Sequence, residues 1–316
     1  MKRSILIPFL LLIFSIHLSS QQLPLFTQYR ENATILNPGA MEEDFLVNQQ
    51  NFTIGSSFRT QWSDLKGAPR TRIVRGSYVS NGYGGAQLLA GASLLSDKTG
   101  PTSLTGIYGR IGAVISNDPE YFGISLGLSA GLVQFKYDAT EAVLHDVGDV
   151  IGQQTYAQLF PDVGFGVYAY QTVGDGNTLY GGVSVPQLLG LNLKFTEENG
   201  DFDIKRIQHF YANIGLIKYF KHGEGFLEPS VWIKYAPNVP INADFNLRVQ
   251  MPGSIWIGTG VSSAKNFHLD VGFNLGDNVG FDNLVKLGYG YDYSFSSFGP
   301  FIGSTHELNL TYSFNN

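Results

Sequence analysis

The chain has no cysteine, few charges and, beyond its first twenty residues, no apolar run long enough to cross a bilayer as a helix. The missing thiols exclude a disulfide framework and a cysteine-linked lipid anchor at the N-terminus. A membrane helix needs roughly 18 apolar residues in succession. Charged residues make up 15% of the sequence, against roughly 25% in ordinary soluble domains. With a net charge of -6 there is no basic patch, which argues against nucleic acid as a partner. What is abundant is aromatic or small: 14% Phe, Trp and Tyr, and 38 glycines. Few charges, many aromatics and glycines, and no hydrophobic helix together fit a membrane β-barrel.

The first residues, MKRSILIPFLLLIFSIHLSS, predict a secretory signal peptide over 1–20. Lys2 and Arg3 form its positive start, Ile5 to Ile16 its apolar core, and Ser19-Ser20 its small-residue end. The alternative is a retained anchor, for which the apolar run is short.

The stretch GISLGLSAGL (123–132) poses the helix-or-strand question directly. On a helix its glycines form the packed face of a membrane dimer. On a strand, Gly123, Ser125, Gly127, Ser129 and Gly131 share one side and the apolar residues the other. Period-two alternation elsewhere decides for the strand. In 284–296, Val285, Leu287, Tyr289, Tyr291, Tyr293 and Phe295 oppose Lys286, Gly288, Gly290, Asp292 and Ser294. The same alternation runs through 241–250, 266–276 and 306–314.

About fourteen such strands are expected, near 51–62, 71–80, 86–96, 104–115, 121–137, 162–173, 178–186, 207–220, 226–235, 240–250, 253–262, 266–276, 283–295 and 304–314. Their lengths suit the roughly 9–11 residues of a tilted membrane strand. Every even-to-odd connection is short, whereas the two longest, 138–161 and 187–206, follow odd-numbered strands. Outer-membrane barrels show this asymmetry, with short periplasmic turns and longer external loops. The predicted fold is therefore all-β, an antiparallel outer-membrane barrel over 46–316. A soluble sandwich would have to bury one face of every strand against a second sheet. Successive tyrosines on one face, as in YGYDY, suit an interfacial aromatic girdle better.

Residues 21–45 are too irregular for a strand and too aromatic for a linker. They are read as a plug in the lumen, a segment on the periplasmic rim, or a mobile leader. Arg59, Arg110, Lys234, Asp244, Arg248 and Asp270 fall on lumen faces, where charges either line a channel or hold a plug by ion pairs. The histidines show no metal-ligand spacing, and no glycine-rich stretch reads as a nucleotide loop, so no cofactor is expected. Asp138, Glu141, Asp146, Asp149 and the nearby Asp162 offer a conceivable surface calcium site. A surface lipase would need a Ser–His pair; Ser294 and His306 lie on neighbouring strands, but nothing singles them out.

FTQYRENATILNPGA (26–40) resembles the mature N-terminus of the PorP/SprF family, outer-membrane proteins of the type IX secretion system in Bacteroidota. Phe26, Gln28, Tyr29, Leu36, Asn37, Pro38 and Ala40 carry that likeness. Further along, Arg59, Gln61, Trp62, Pro69 and Thr71 resemble the family's YRNQW segment and the loop after it. Asp97 and Gly100 resemble its D-x-x-G hairpin, and Pro229, Ser230 and Lys234 its L-x-P-S-x-x-x-K strand. Tyr289, Tyr291, Asp292, His306 and Glu307 resemble its closing pattern. The resemblance implies a non-enzymatic barrel, embedded in outer-membrane lipid, that supports export or surface retention of large secreted proteins, often adhesins, bearing a C-terminal sorting domain. It also implies translocon or periplasmic components as partners, and gliding motility as one setting. The rival reading is a solute channel or hydrophobic-substrate transporter.

Overall fold

The computed structural model describes residues 26–82, 85–141, 155–189, 192–197, 200–205, 207–220, 225–276, 279–297 and 299–316. The expected signal peptide over 1–20 lies outside them. Fourteen strands close into one antiparallel barrel. They are β1 (Phe52–Thr60), β2 (Arg70–Val79), β3 (Ala86–Thr99), β4 (Thr102–Ile115), β5 (Phe122–Tyr137), β6 (Tyr156–Val173) and β7 (Asn177–Val185), followed by β10 to β16. The latter are β10 (Phe210–Tyr219), β11 (Phe226–Tyr235), β12 (Asn242–Gln250), β13 (Ile255–Ser262), β14 (Asn266–Leu275), β15 (Leu284–Ser294) and β16 (Thr305–Phe314). Between β7 and β10, β8 (Asn192–Glu197) and β9 (Gly200–Lys205) form a separate two-stranded sheet. The barrel closes where β1 pairs with β16, from Phe52 opposite Phe314 to Thr60 opposite His306.

Alternation decides which side of each strand meets lipid. Ile107, Ile111 and Val183 are 57–59% exposed on the outside, as are rows of Leu and Phe on the other strands. An apolar surface of this extent is stable only against hydrocarbon. In β5 the glycine stretch is a strand: Gly123, Ser125 and Gly127 are buried inward while Ile124, Leu126 and Leu128 are exposed outward. No helix among the described residues is long and apolar enough to cross a membrane.

The two ends of the barrel differ. The turn end carries only short connections, with the entry to β1 and the end of β16; the loop end carries the two longest, β5–β6 and β7–β10. On the loop end, β3 to β6 are 14, 14, 16 and 18 residues long, against 8–11 for the other barrel strands. This corrects the sequence reading at two places. The segment 138–161 is a shorter connection, because β6 already begins at Tyr156. The segment 187–206 is not all loop, because it holds the β8–β9 hairpin.

Residues 26–50 occupy the lumen. They contain two short helices, α1 (Ala33–Leu36) and α2 (Glu43–Asn48). Gln49 takes the left-handed conformation at the end of α2, where its N–H closes on the Asp44 and Phe45 carbonyls. Phe26, Tyr29, Ala33, Leu36, Ala40 and Met41 are buried against Trp232, Tyr168, Tyr180 and Tyr211 of the wall.

Candidate functional site: the filled lumen

The lumen segment starts near the loop end and runs down to the turn end. Its first anchor is Glu307, a fully buried wall carboxylate on β16. The backbone N–H groups of Thr27 and Gln28 donate to it at 2.7 and 3.3 Å, and Arg59 of β1 donates at 3.2 Å. Arg59 also pairs with Asp292 at 2.8 Å and meets the Thr27 hydroxyl. Tyr29 stacks on Trp232 with ring centres 5.5 Å apart, and Lys234 sits 4.2 Å above the Tyr29 ring. Lys234 is itself paired with Asp244 at 2.5 Å.

In the middle of the barrel the contacts are to backbone. The Ser184 hydroxyl donates to the Leu36 carbonyl at 2.7 Å, and the Asn37 amide donates to the Val167 carbonyl at 3.0 Å. Arg110 donates to the carbonyls of Pro38 and Ala40 at 3.1 and 2.9 Å. Here the wall must be thin. A side chain at Gly127 would run into the Pro38 carbonyl, and one at Gly166 into Asn37. Gly127 of β5 and Gly166 of β6 thus make room for the Asn37-Pro38-Gly39 turn.

Toward the turn end the contacts become ionic. Glu42 accepts from Ser77 at 3.0 Å and lies 3.5 Å from Arg75. Glu43 bridges Arg30, Arg248 and Lys286 at 3.1, 3.0 and 3.3 Å. Glu31 pairs with Arg248 and Lys286 at 3.3 and 3.1 Å, and Asp44 with Lys286 at 2.8 Å. Arg30 reaches the wall carboxylate Glu228. Burial would raise the Glu42 carboxyl, but Arg75, Arg110 and Ser77 hold it below the ordinary range. Burial acts the same way on Glu43, and Arg248, Arg30 and Lys286 hold it well below. Removing one partner of such a buried pair typically costs about 3–5 kcal/mol, because the other charge is left uncompensated. Two cavities of about 50 Å³ each remain between segment and wall, room for a few waters apiece at roughly 10–15 Å³ per water.

Of the sequence-derived lumen charges, Arg59, Asp244 and Arg248 are buried on the inner face, and Arg110, Lys234 and Asp270 are half-buried there. Sequence reading missed Arg75 and Lys286 as lumen charges. Parity along β2 separates inward Arg75 from outward Arg70 and Arg72, but apolar Ile73 on the same inner face obscured it. Glu42, Glu43 and Asp44 sit in a stretch without period, where no pattern assigns a face.

The family-like residues divide by place. Phe26, Gln28, Tyr29, Asn37 and Pro38 form the lumen segment; Arg59, Lys234, Asp292 and Glu307 are its wall partners. Gln61, Trp62 and Pro69 shape the β1–β2 loop, where the Gln61 N–H donates to the Pro69 carbonyl at 2.9 Å and Trp62 has a positive φ. Asp97 accepts from Thr71 at 2.6 Å, and Gly100 turns β3 into β4 at φ 55°. Pro229 and Tyr289 face outward, Ser230 inward toward the cavity beside Gln28, and Tyr291 rests against His306.

The described residues bring together neither the serine–histidine pair nor the described members of the acidic cluster. His306 offers its nitrogens to Tyr289 at 2.7 Å and Ser304 at 2.9 Å, while Ser294 bonds Ser296, so Ser294 and His306 do not form a pair. Asp138 is bound by Thr140 and Lys136, which hold its carboxyl down at about 2; Glu141 pairs with Lys98. Asp162 is buried in the lumen on the Tyr108 hydroxyl, 3.0 Å away, and so is not part of a surface cluster with them. Asp146 and Asp149 lie outside the described residues. No group of three or more acidic or histidine residues among the described ones is placed to hold a metal.

A closed, lipid-facing antiparallel barrel whose lumen is filled by its own N-terminal segment defines an outer-membrane β-barrel protein. Solved barrels share this shape. CymD, a monoaromatic hydrocarbon channel, superposes with TM-score 0.56 at 11% identity over 93% of this chain and 94% of its own. The toluene transporter TodX of P. putida does so with TM-score 0.55 at 11% identity, over 90% and 94%. At that identity the likeness is one of fold. A comparison with curated proteins finds no match. The chain belongs to the PorP/SprF family: residues 18–312 match the type IX secretion system membrane protein PorP/SprF.

Proposed function

We propose that this barrel supports the export or cell-surface anchoring of type IX cargo, adhesin-like proteins with a C-terminal sorting domain, without catalysing a reaction. The observation that carries the reading is the filled lumen of a type IX family barrel. With residues 26–50 occupying the interior, a large partner has the loop end to work with. There the long β3–β6 wall and the β8–β9 hairpin stand above the shorter strands. The barrel acts as a rigid anchor braced from inside, and the β5–β6 and β7–β10 connections hold the cargo. The two-stranded β8–β9 sheet supplies open backbone edges onto which a sorting-domain strand can pair. Translocon or periplasmic components are the further partners this reading expects.

The test is affinity purification of the tagged protein from mild-detergent outer membranes, followed by mass spectrometry. Enrichment of a large secreted protein or of type IX components over an unrelated barrel supports the reading. Deletion of 192–205 is expected to release cargo from the surface; cargo that stays put would sink the role of the hairpin.

The second reading is a channel or hydrophobic-solute transporter, the activity described for CymD and TodX. Its support here is the polar wall and the two residual cavities. Steady conductance of the unmodified protein in planar bilayers would favour it over anchoring.

A further inference from the structure

The charges in the turn-side half of the lumen are divided unevenly, with the wall mostly cationic and the segment mostly acidic. Among the described residues the wall there supplies four cations, Arg75, Arg110, Arg248 and Lys286, and two carboxylates, Glu228 and Asp270, which line one cavity with Arg248. The lumen segment supplies four carboxylates, Glu31, Glu42, Glu43 and Asp44, and one cation, Arg30. Each ion pair of an Arg or Lys in this layer runs between segment and wall, or within the segment, as Arg30 to Glu43 does. The loop-side half is built differently. Arg59 is paired with Asp292 and Glu307, and Lys234 with Asp244, all within the wall. If the segment leaves, the loop-side pairs persist. The turn-side wall then keeps four cations against the two carboxylates Glu228 and Asp270, a positive excess.

A ring of like charges in a narrow, low-dielectric passage concentrates ions of the opposite sign and sets the selectivity of a pore. We propose that the turn-side half of the lumen is an anion-selective constriction held shut by the acidic N-terminal segment. Displacing that segment turns the closed barrel into an anion-conducting pore. Arg75, Arg110, Arg248 and Lys286 are the selectivity residues. Glu42 and Glu43 are the latch, because between them they pair with Arg75, Arg248 and Lys286. The proposal does not depend on any cargo, and it differs from the transporter reading, whose ligand is an uncharged apolar solute.

The experiment uses the full-length protein in planar bilayers under a salt gradient. Because the chain has no cysteine, an Ala33→Cys substitution in the buried α1 places a single reporter thiol that reads out whether the segment has left. The unmodified barrel is expected to stay closed, and its Ala33→Cys version to keep the thiol protected from a charged reagent. The Glu42→Gln/Glu43→Gln variant is expected to expose the thiol and to open, with anion permeability several-fold above cation permeability. Adding Arg75→Gln and Arg248→Gln should abolish that preference while conductance remains. A bridged Asn32→Cys/Ser57→Cys pair, introduced without the reporter at residue 33, should close the opened variant again; the parent side chains meet at 2.8 Å. Four results would each overturn the proposal: steady conductance of the unmodified protein, a non-selective or cation-selective opened pore, conductance that survives the bridge, or an E42Q/E43Q barrel that stays closed.

Discussion

Glu307 shows how one side chain organises the lumen. It is fully buried, and its two oxygens take the first N–H groups of the segment, the Arg59 guanidinium and the Asn309 amide. Glu307→Ala would leave Arg59 with Asp292 and the Thr27 hydroxyl, and two backbone donors unpaired. The expected loss is about 3–5 kcal/mol, read as a lower midpoint in urea unfolding of the detergent-solubilised barrel. Gly127 is a second such point, for the opposite reason. A Cβ there would overlap the Pro38 carbonyl, so Gly127→Val should push the Asn37-Pro38-Gly39 turn off the wall and expose the Ala33→Cys reporter. Gly109→Ala, which meets nothing within 4 Å, is the matched silent control. Unchanged protection of the reporter thiol in Gly127→Val would mean the wall yields instead.

Among the elements, the lumen segment responds to pH through its own carboxylates. Glu42 and Glu43 titrate in the folded protein below the ordinary glutamate value, roughly 4.3. Their contribution to docking is therefore complete above that value and lost as pH falls through the lower folded values. Asp44 runs the other way: burial raises it despite Lys286, so its protonation relieves a cost and softens the loss. Protection of the Ala33→Cys reporter should hold from about pH 8 to about pH 5 and fail below about pH 4. Failure already near pH 6 would show that other groups control docking. The helices themselves contribute little, since α1 and α2 have four and six residues. Segments that short are held by tertiary contacts and not by propensity.

For the molecule as a whole, stability follows from the division between a lipid-facing and a lumen-facing surface. Leu269, near the middle of β14, is 47% exposed on the outer face. An arginine at a comparable midplane position costs about 2–4 kcal/mol, so Leu269→Arg should destabilise the barrel by that amount in lipid vesicles. A much smaller loss would place this residue away from the hydrocarbon. Most of this architecture was legible in the sequence. The alternation in 284–296 and the YGYDY tyrosines mark β15 and its girdle, because a strand exposed to lipid on one side and to polar groups on the other writes its period into the chain. The start of β6 at Tyr156 was not legible. Pro161 reads as the end of the loop and Asp162 as the first strand residue, yet β6 runs through both, with Pro161 on the outward face and Asp162 turned inward to Tyr108. The β8–β9 hairpin was missed too: it forms a separate two-stranded sheet, outside the ladder whose alternation marks the barrel strands.

The barrel was thus already written in the order of the amino acids. Strand number, facing and the succession of short and long connections follow from local alternation and turn chemistry, which act between near neighbours. The family was written there too, through motifs spread from Phe26 to Glu307. What fills the barrel was not, and it emerged with the closed sheet. The partners of Glu42 and Glu43 are Arg75, Arg248 and Lys286, brought in from β2, β12 and β15 by closure of the sheet. Charge complementarity across a lumen has no sequence period, so it becomes visible when the wall closes around the segment.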